Sequence, residues 1–154
     1  MADTTVKIFV VEDNDWYNRL LVHTLSLNPD YEVKGFINGR DFLNSLHESP
    51  GIVTLDYRLP DISGFELLKQ IRQEHPEIQV ILISEQEDIN TVVELLKLGA
   101  KDYIIKSNDI RDRLLNTVQN IRNEMGLIRR SQSFVRRFRK NMTSVAASLG
   151  KVPL

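Results

Sequence analysis

Five positions in this chain carry side chains that could do chemistry together. They are Glu12 and Asp13 in one acidic run, and Asp56, Ser84 and Lys106, each at the end of a short apolar stretch. Three carboxylates gathered in one place repel one another and need a cation. Oxygen ligands without nitrogen or sulfur point to Mg²⁺. A lysine ammonium and a serine hydroxyl beside them suit an anionic oxygen cluster, and phosphoryl fits that description best. A carboxylate can itself accept a phosphoryl group as an acyl phosphate. The metal would then neutralise charge between acceptor and donor, while Lys106 and Ser84 hold the transferred oxygens. Taken singly, each residue has a plainer reading. Glu12-Asp13 could start a helix, Asp56 could belong to a turn, Ser84 could be a cap and Lys106 a solvated strand end. Their joint placement is what those readings leave unexplained.

The elements that position them follow from periodicity. Val6 to Val11 is an apolar, β-branched run that reads as a buried strand entering Glu12-Asp13-Asn14-Asp15, where Asn or Asp can cap a helix. Trp16, Leu20, Leu21, Thr24 and Leu25 recur at helical spacing until Asn28-Pro29-Asp30. Tyr31 to Ile37 reads as a second strand. Asn38-Gly39 is a turn, and Phe42, Leu43 and Leu46 mark a helix ending at Ser49-Pro50-Gly51. Ile52 to Leu55 is a third strand that delivers Asp56. A loop with Pro60 and Gly64 follows, then a helix through Phe65, Leu67, Leu68 and Ile71. Val80 to Ile83 is a fourth strand, stopping at Ser84. Ile89, Val92, Val93, Leu96 and Ala100 make a fourth helix, whose end Gly99 fits. Asp102 to Ile105 is a fifth strand, stopping at Lys106, and a fifth helix starts near Asp109 with Ile110, Leu114, Val118 and Ile121.

Strands alternating with helices imply right-handed crossovers and a parallel sheet covered on both faces. The near-continuous apolar strands agree with burial on both sides. In such an α/β sheet, ligands bind beyond the C-terminal strand ends where strand order reverses. All the chemical residues above sit at that edge.

Composition narrows the classes further. The 154 residues are 42% hydrophobic and 27% charged, as in a globular protein. Absence of cysteine excludes disulfides, thiolate metal sites and thiol nucleophiles, and the three histidines are too scattered for a zinc site. No apolar run approaches the ~18 residues of a membrane span. The N-terminal MADTTVK lacks the basic and apolar regions of a signal peptide, so the cytoplasm is the expected address.

The motifs VVEDN at 10–14, LDYRLPDISG at 55–64, LIS at 82–84 and GAKDYIIK at 99–106 resemble the receiver domain of bacterial two-component response regulators. The resemblance spans about residues 6–124. It implies a flavodoxin-like, doubly wound five-stranded parallel sheet of order 2-1-3-4-5. It implies that Glu12 and Asp13 are the acidic metal pair and Asp56 the phosphorylated aspartate, with the Arg58 backbone carbonyl completing the Mg²⁺ ligands. Ser84 becomes the hydroxyl that moves toward the phosphoryl group, Tyr103 the aromatic whose rotamer follows, and Lys106 the phosphate-binding lysine. The donor implied is a phosphohistidine on a sensor histidine kinase or phosphotransfer protein. Such a protein is a phosphoacceptor switch rather than an enzyme with a separate substrate, although it can catalyse its own phosphorylation and dephosphorylation.

Two positions depart from the family pattern. Glu85 follows the switch hydroxyl where a small residue is usual, at the mouth through which a donor approaches, so it is a candidate gate. Ser107 follows Lys106 where proline is usual. A non-proline cis bond costs about 2.5–4 kcal/mol, so a trans peptide is expected there.

Charge divides the chain. Residues 1–125 carry a net charge of −8, whereas residues 126–154 hold seven Lys/Arg and no acid. The expected organisation is a receiver domain over 1–124 and a basic amphipathic helical tail or linker over 125–154. Phe134, Phe138, Met142, Val145 and Leu149 form a helical stripe. Val118, Ile121, Met125, Ile128 and Val135 form a second register in roughly heptad steps, interrupted by Gly126. Three roles compete: self-association into a homodimer, a linker to an output domain, or a basic patch for an acidic partner. Some 30 residues cannot hold a helix-turn-helix domain with its own core, so sequence-specific DNA binding by this chain is not expected.

Rival readings are a phosphorylation-independent receiver-like interaction module, which Glu85 favours, and an aspartate-nucleophile phosphatase. The second would want an acid two residues after Asp56, where Arg58 stands. A dinucleotide-binding oxidoreductase lacks its Gly-rich turn after the first strand.

Overall fold

Short apolar runs form the sheet: β1 (Val6–Val11), β2 (Tyr31–Phe36), β3 (Ile52–Asp56), β4 (Gln79–Ser84) and β5 (Asp102–Ile105). The computed structural model describes residues 5–85 and 87–149, except the side chains of Ser148 and Leu149. The start of the N-terminal segment, tail residues 150–154 and the Leu149 end of the apolar stripe therefore lie outside the described residues. All pairings are parallel, in the order β2-β1-β3-β4-β5, as the sequence implied.

Alternation along β1, β3 and β4 supplies two buried faces. Phe9, Val11, Val53, Leu55, Val80 and Leu82 join Phe42, Leu67, Leu68, Ile71 and Leu95 in one apolar cluster. The alternate residues Ile8, Val10, Ile52, Ile81 and Ile83 are buried as well. The helices are α1 (Asp15–Ser26), α2 (Gly39–Asn44), α3 (Gly64–Glu74), α4 (Ile89–Leu98) and α5 (Ile110–Leu149). Side chains of Asn14, Asn38, Ser63 and Asp88 cap the first four by accepting amide hydrogens of their first turns. Gly99 ends α4 in the left-handed region at φ 116°, where its amide donates to the Leu95 and Leu96 carbonyls.

Three local expectations are corrected. Trp16 is 69% exposed, and the inward position on that turn of α1 belongs to Asn18, whose polar side chain hid it from an apolar count. The helix expected to run to Ser49 stops at Asn44, and Leu46–Glu48 form a separate 3₁₀ turn. In α4 only Leu95 is buried, whereas Ile89, Val93 and Leu96 of the expected inward face are exposed. Peptide bonds among the described residues are all trans, Lys106-Ser107 included.

By contacts the chain divides into residues 1–118 and 119–154. In the first unit, α5 begins by burying Ile110, Leu114 and Val118. In the second, the helix runs through Gly126, and Phe134, Val135, Phe138, Met142 and Val145 are exposed. Phe134 and Phe138 stack at 6.5 Å between ring centroids. No helix among the described residues is long and apolar enough to cross a membrane.

Candidate functional site

The C-terminal ends of β1, β3, β4 and β5 open onto one cavity of about 620 Å³. Glu12, Asp13, Asp56, Arg58, Ser84, Glu85 and Lys106 line it. Every residue singled out from the sequence lies on this cavity except Tyr103, whose hydroxyl instead reaches the loop after β4. The ends meet because β1 and β4 flank β3 in register, with Val11 beside Leu55 and Asp56 beside Ile83.

Glu12 is buried and its backbone carbonyl accepts a hydrogen bond from Asn18 Nδ2 at 2.9 Å. The same Asn18 nitrogen donates to the Phe36 carbonyl at 2.8 Å, so α1 ties the ends of β1 and β2 together. Asp13 projects from the next residue and is exposed. Carboxylate oxygens of Glu12, Asp13 and Asp56 lie within 4.8 Å of one another. That all-oxygen set, part buried and part open to water, fits a hard divalent cation that keeps several waters.

The Lys106 ammonium lies 2.8 Å from Glu12 Oε2 and 3.4 Å from Asp56 Oδ2, and 4.7 Å from the centre of the Tyr17 ring. Burial pushes the Glu12 carboxyl up to about 7, with Lys106 opposing and Asp56 adding to the rise. Burial likewise raises Asp56, against the attraction of Lys106 and a 3.2 Å hydrogen bond from the Arg58 amide. Burial works against the charged Lys106, yet Glu12 and Asp56 outweigh it and hold its pKa above the ordinary lysine value. The cluster thus carries more negative charge than one ammonium balances.

The loop from Asp56 returns to α3 through Gly64. Its amide donates to the Tyr57 carbonyl at 2.8 Å, and a Cβ there would stand 2.6 Å from Tyr57 Cα and 2.7 Å from the Asp56 carbonyl oxygen. Only glycine permits that approach.

Ser84 ends β4 with its hydroxyl donating to Glu87 Oε1 at 3.2 Å. Arg58 grips the same carboxylate in a fork, Nε to Oε1 at 2.8 Å and Nη2 to Oε2 at 3.0 Å. That hydrogen bond from Arg58 holds the Glu87 carboxyl below its ordinary range. Tyr103 Oη accepts the Glu87 amide hydrogen at 3.2 Å and donates to the Glu85 carbonyl at 3.0 Å. The Glu85 side chain is exposed on the cavity rim. Sequence reasoning missed Glu87, Trp16 and Tyr17. A run of three acids within four residues of Ser84, opposite an arginine two past Asp56, was the available signal for the first.

A doubly wound α/β module of this kind belongs to the class that binds its ligands in the crevice at the carboxyl ends of the strands, where this acidic pocket lies. Within that class, residues 8–119 match the response regulator receiver domain model, and the chain belongs to that family. It is 35% identical over 99 residues to the regulatory protein LuxO of Vibrio vulnificus, covering 64% of this chain and 21% of that protein. It is 39% identical over 100 residues to the transcriptional regulatory protein CssR of Bacillus subtilis, covering 64% of this chain and 44% of that one. Among solved structures, the BeF3-activated receiver domain of DrrB, a Thermotoga maritima protein, superposes with a TM-score of 0.70 at 34% identity. The match covers 76% of this chain and 97% of that domain. The chain therefore spans less than half the length of these curated relatives. Receiver domains are phosphorylation-dependent switches of two-component signalling and bind Mg²⁺ at an acidic pocket.

Proposed function

We propose that Asp56 is the phosphoryl acceptor of this receiver domain, drawing on a phosphohistidine of a sensor histidine kinase or phosphotransfer protein in the cytoplasm. The observation that carries this reading is the position of Asp56: nearly buried at the end of β3, beside a lysine ammonium and within reach of two further carboxylates. An Asp56 carboxylate oxygen attacks phosphorus, the phosphorus–nitrogen bond breaks, and its electron pair leaves on the donor imidazole. Asp13, Asp56 and the Arg58 carbonyl would hold Mg²⁺, with Glu12 acting directly or through water. When bound, the ion neutralises charge between acceptor and donor. Lys106 and the Ser84 hydroxyl hold the phosphoryl oxygens, and Tyr103 follows Ser84 through the loop that both engage. Self-catalysed transfer and later hydrolysis by water are the only chemistry this reading requires of the chain.

The test is intact-mass spectrometry after incubation with Mg²⁺ and acetyl phosphate. The native chain should gain one phosphoryl mass that Asp56→Asn does not. Equal labelling of both would move the acceptor elsewhere, and no labelling of either would favour an interaction module that works without phosphorylation.

A further inference from the structure

Ser84 and Arg58 both already have a partner. The Ser84 hydroxyl has one hydrogen to give, and it goes to Glu87 Oε1 at 3.2 Å. The Arg58 fork occupies the rest of the same carboxylate at 2.8 and 3.0 Å. Glu87 is held in place from behind. Its amide donates to Tyr103 Oη, and its side chain is only 6% exposed although Arg58, on the solvent side, is 73% exposed. The carboxylate thus presents two anionic oxygens to a hydroxyl and a guanidinium, which are the donors a phosphoryl group on Asp56 would seek. Arg58 lies two residues beyond Asp56, and Ser84 lies on the adjacent strand. One hydroxyl hydrogen cannot serve both acceptors.

We propose that Glu87 is a resting-state stand-in for the phosphoryl group: it holds the Ser84 hydroxyl and the Arg58 fork until a phosphoryl group on Asp56 outcompetes it. Glu87 is a positioning residue in this scheme, touching neither donor nor acceptor. The scheme rests on the phosphoacceptor reading of Asp56. Releasing the carboxylate frees the Glu87 side chain from Ser84 and Arg58, so phosphorylation and the position of Glu87 become linked.

The experiment is calorimetric titration of the full chain with beryllofluoride in the presence of Mg²⁺, for Glu87→Ala and Glu87→Gln, each in the native and Ser84→Ala backgrounds. If Glu87 competes for the hydroxyl, Glu87→Ala tightens binding about fivefold with Ser84 present and clearly less with Ser84→Ala, where only the Arg58 fork is left to release. Glu87→Gln keeps the acceptor and loses the charge, so it gives a smaller gain with the same dependence on Ser84. An equal gain in both backgrounds would mean that Glu87 acts only as a nearby negative charge, and would overturn the exchange. So would unchanged or weaker binding in both Glu87 variants. Failure of the native chain to bind beryllofluoride would remove the phosphoacceptor reading itself, whereas native binding that is indifferent to Glu87 removes only the exchange.

Discussion

Glu12 is the side chain whose ionisation burial opposes most visibly, its pKa standing at about 7 against an ordinary value of 4.5. A raised carboxyl favours the protonated form. The stability it lends the metal-free fold is complete below pH 4.5 and is lost as pH rises through about 7. The melting temperature of metal-free protein should therefore fall between pH 6 and 8, and Glu12→Gln should flatten that slope. A cation reverses the balance by favouring the charged form, so Mg²⁺ should raise the melting temperature more at pH 8 than at pH 6. Equal increments in thermal scans would exclude Glu12 from the ion's surroundings. Asp13→Asn should weaken Mg²⁺ at least about tenfold by calorimetry, and unchanged affinity would remove Asp13 from the ligand set. Glu85 on the cavity rim predicts a different signature. A carboxylate facing a dianionic donor repels it, and ~1 kcal/mol remaining after solvent screening corresponds to roughly fivefold in rate. Acetyl phosphate labelling of Asp56 should accelerate by about that factor in Glu85→Ala and lose the advantage at high salt. Equal rates at low and high salt would refute the gate. At this scale the placement of Glu12, Asp56, Ser84 and Lys106 was legible because each terminates an apolar run, a signal that needs no tertiary information. Glu87 was not, since Arg58 lies 29 residues away in the loop after β3 and no periodicity joins the two.

The elements were legible where apolar residues run almost continuously, as in the central strands, or recur along one helix face, as in α3. The strands, α3 and the Gly99 stop of α4 obey their periodicities. Trp16 and the exposed face of α4 misled because apolar spacing marks a stripe without saying what covers it, and Asn18 escaped because a buried polar residue satisfied by two carbonyls breaks the pattern. Gly64 was read as loop punctuation, yet it is where α3 passes closest to the acceptor loop. Gly64→Ala puts a methyl against the backbone of Tyr57 and Asp56. It should cost about 1–3 kcal/mol in urea unfolding and displace the Arg58 carbonyl, weakening Mg²⁺ as well. Loss of stability with Mg²⁺ affinity intact would show that the loop tolerates the shift.

At the scale of the whole molecule, charge segregation marked out the tail, and helix propensity carried α5 through Gly126 at a cost of about 1 kcal/mol. The exposed stripe from Phe134 to Val145 supports the expectation of self-association. A chain ending near Glu124 should then lose any dimer that the full chain shows in sedimentation, and identical monomers in both would leave the tail as a linker. The globule has its own large-scale property. Its cavity is assembled from Glu12, just past the first strand, and Lys106, just past the fifth, on four strands of which β3 lies between β1 and β4. No nascent chain shorter than its fifth strand, and no folding intermediate lacking either outer pairing of β3, possesses the pocket. On the phosphoacceptor reading proposed above, labelling of Asp56 becomes an all-or-none report on the native sheet. Its loss in denaturant should coincide with the global transition, and by that reading a half-made copy would be silent.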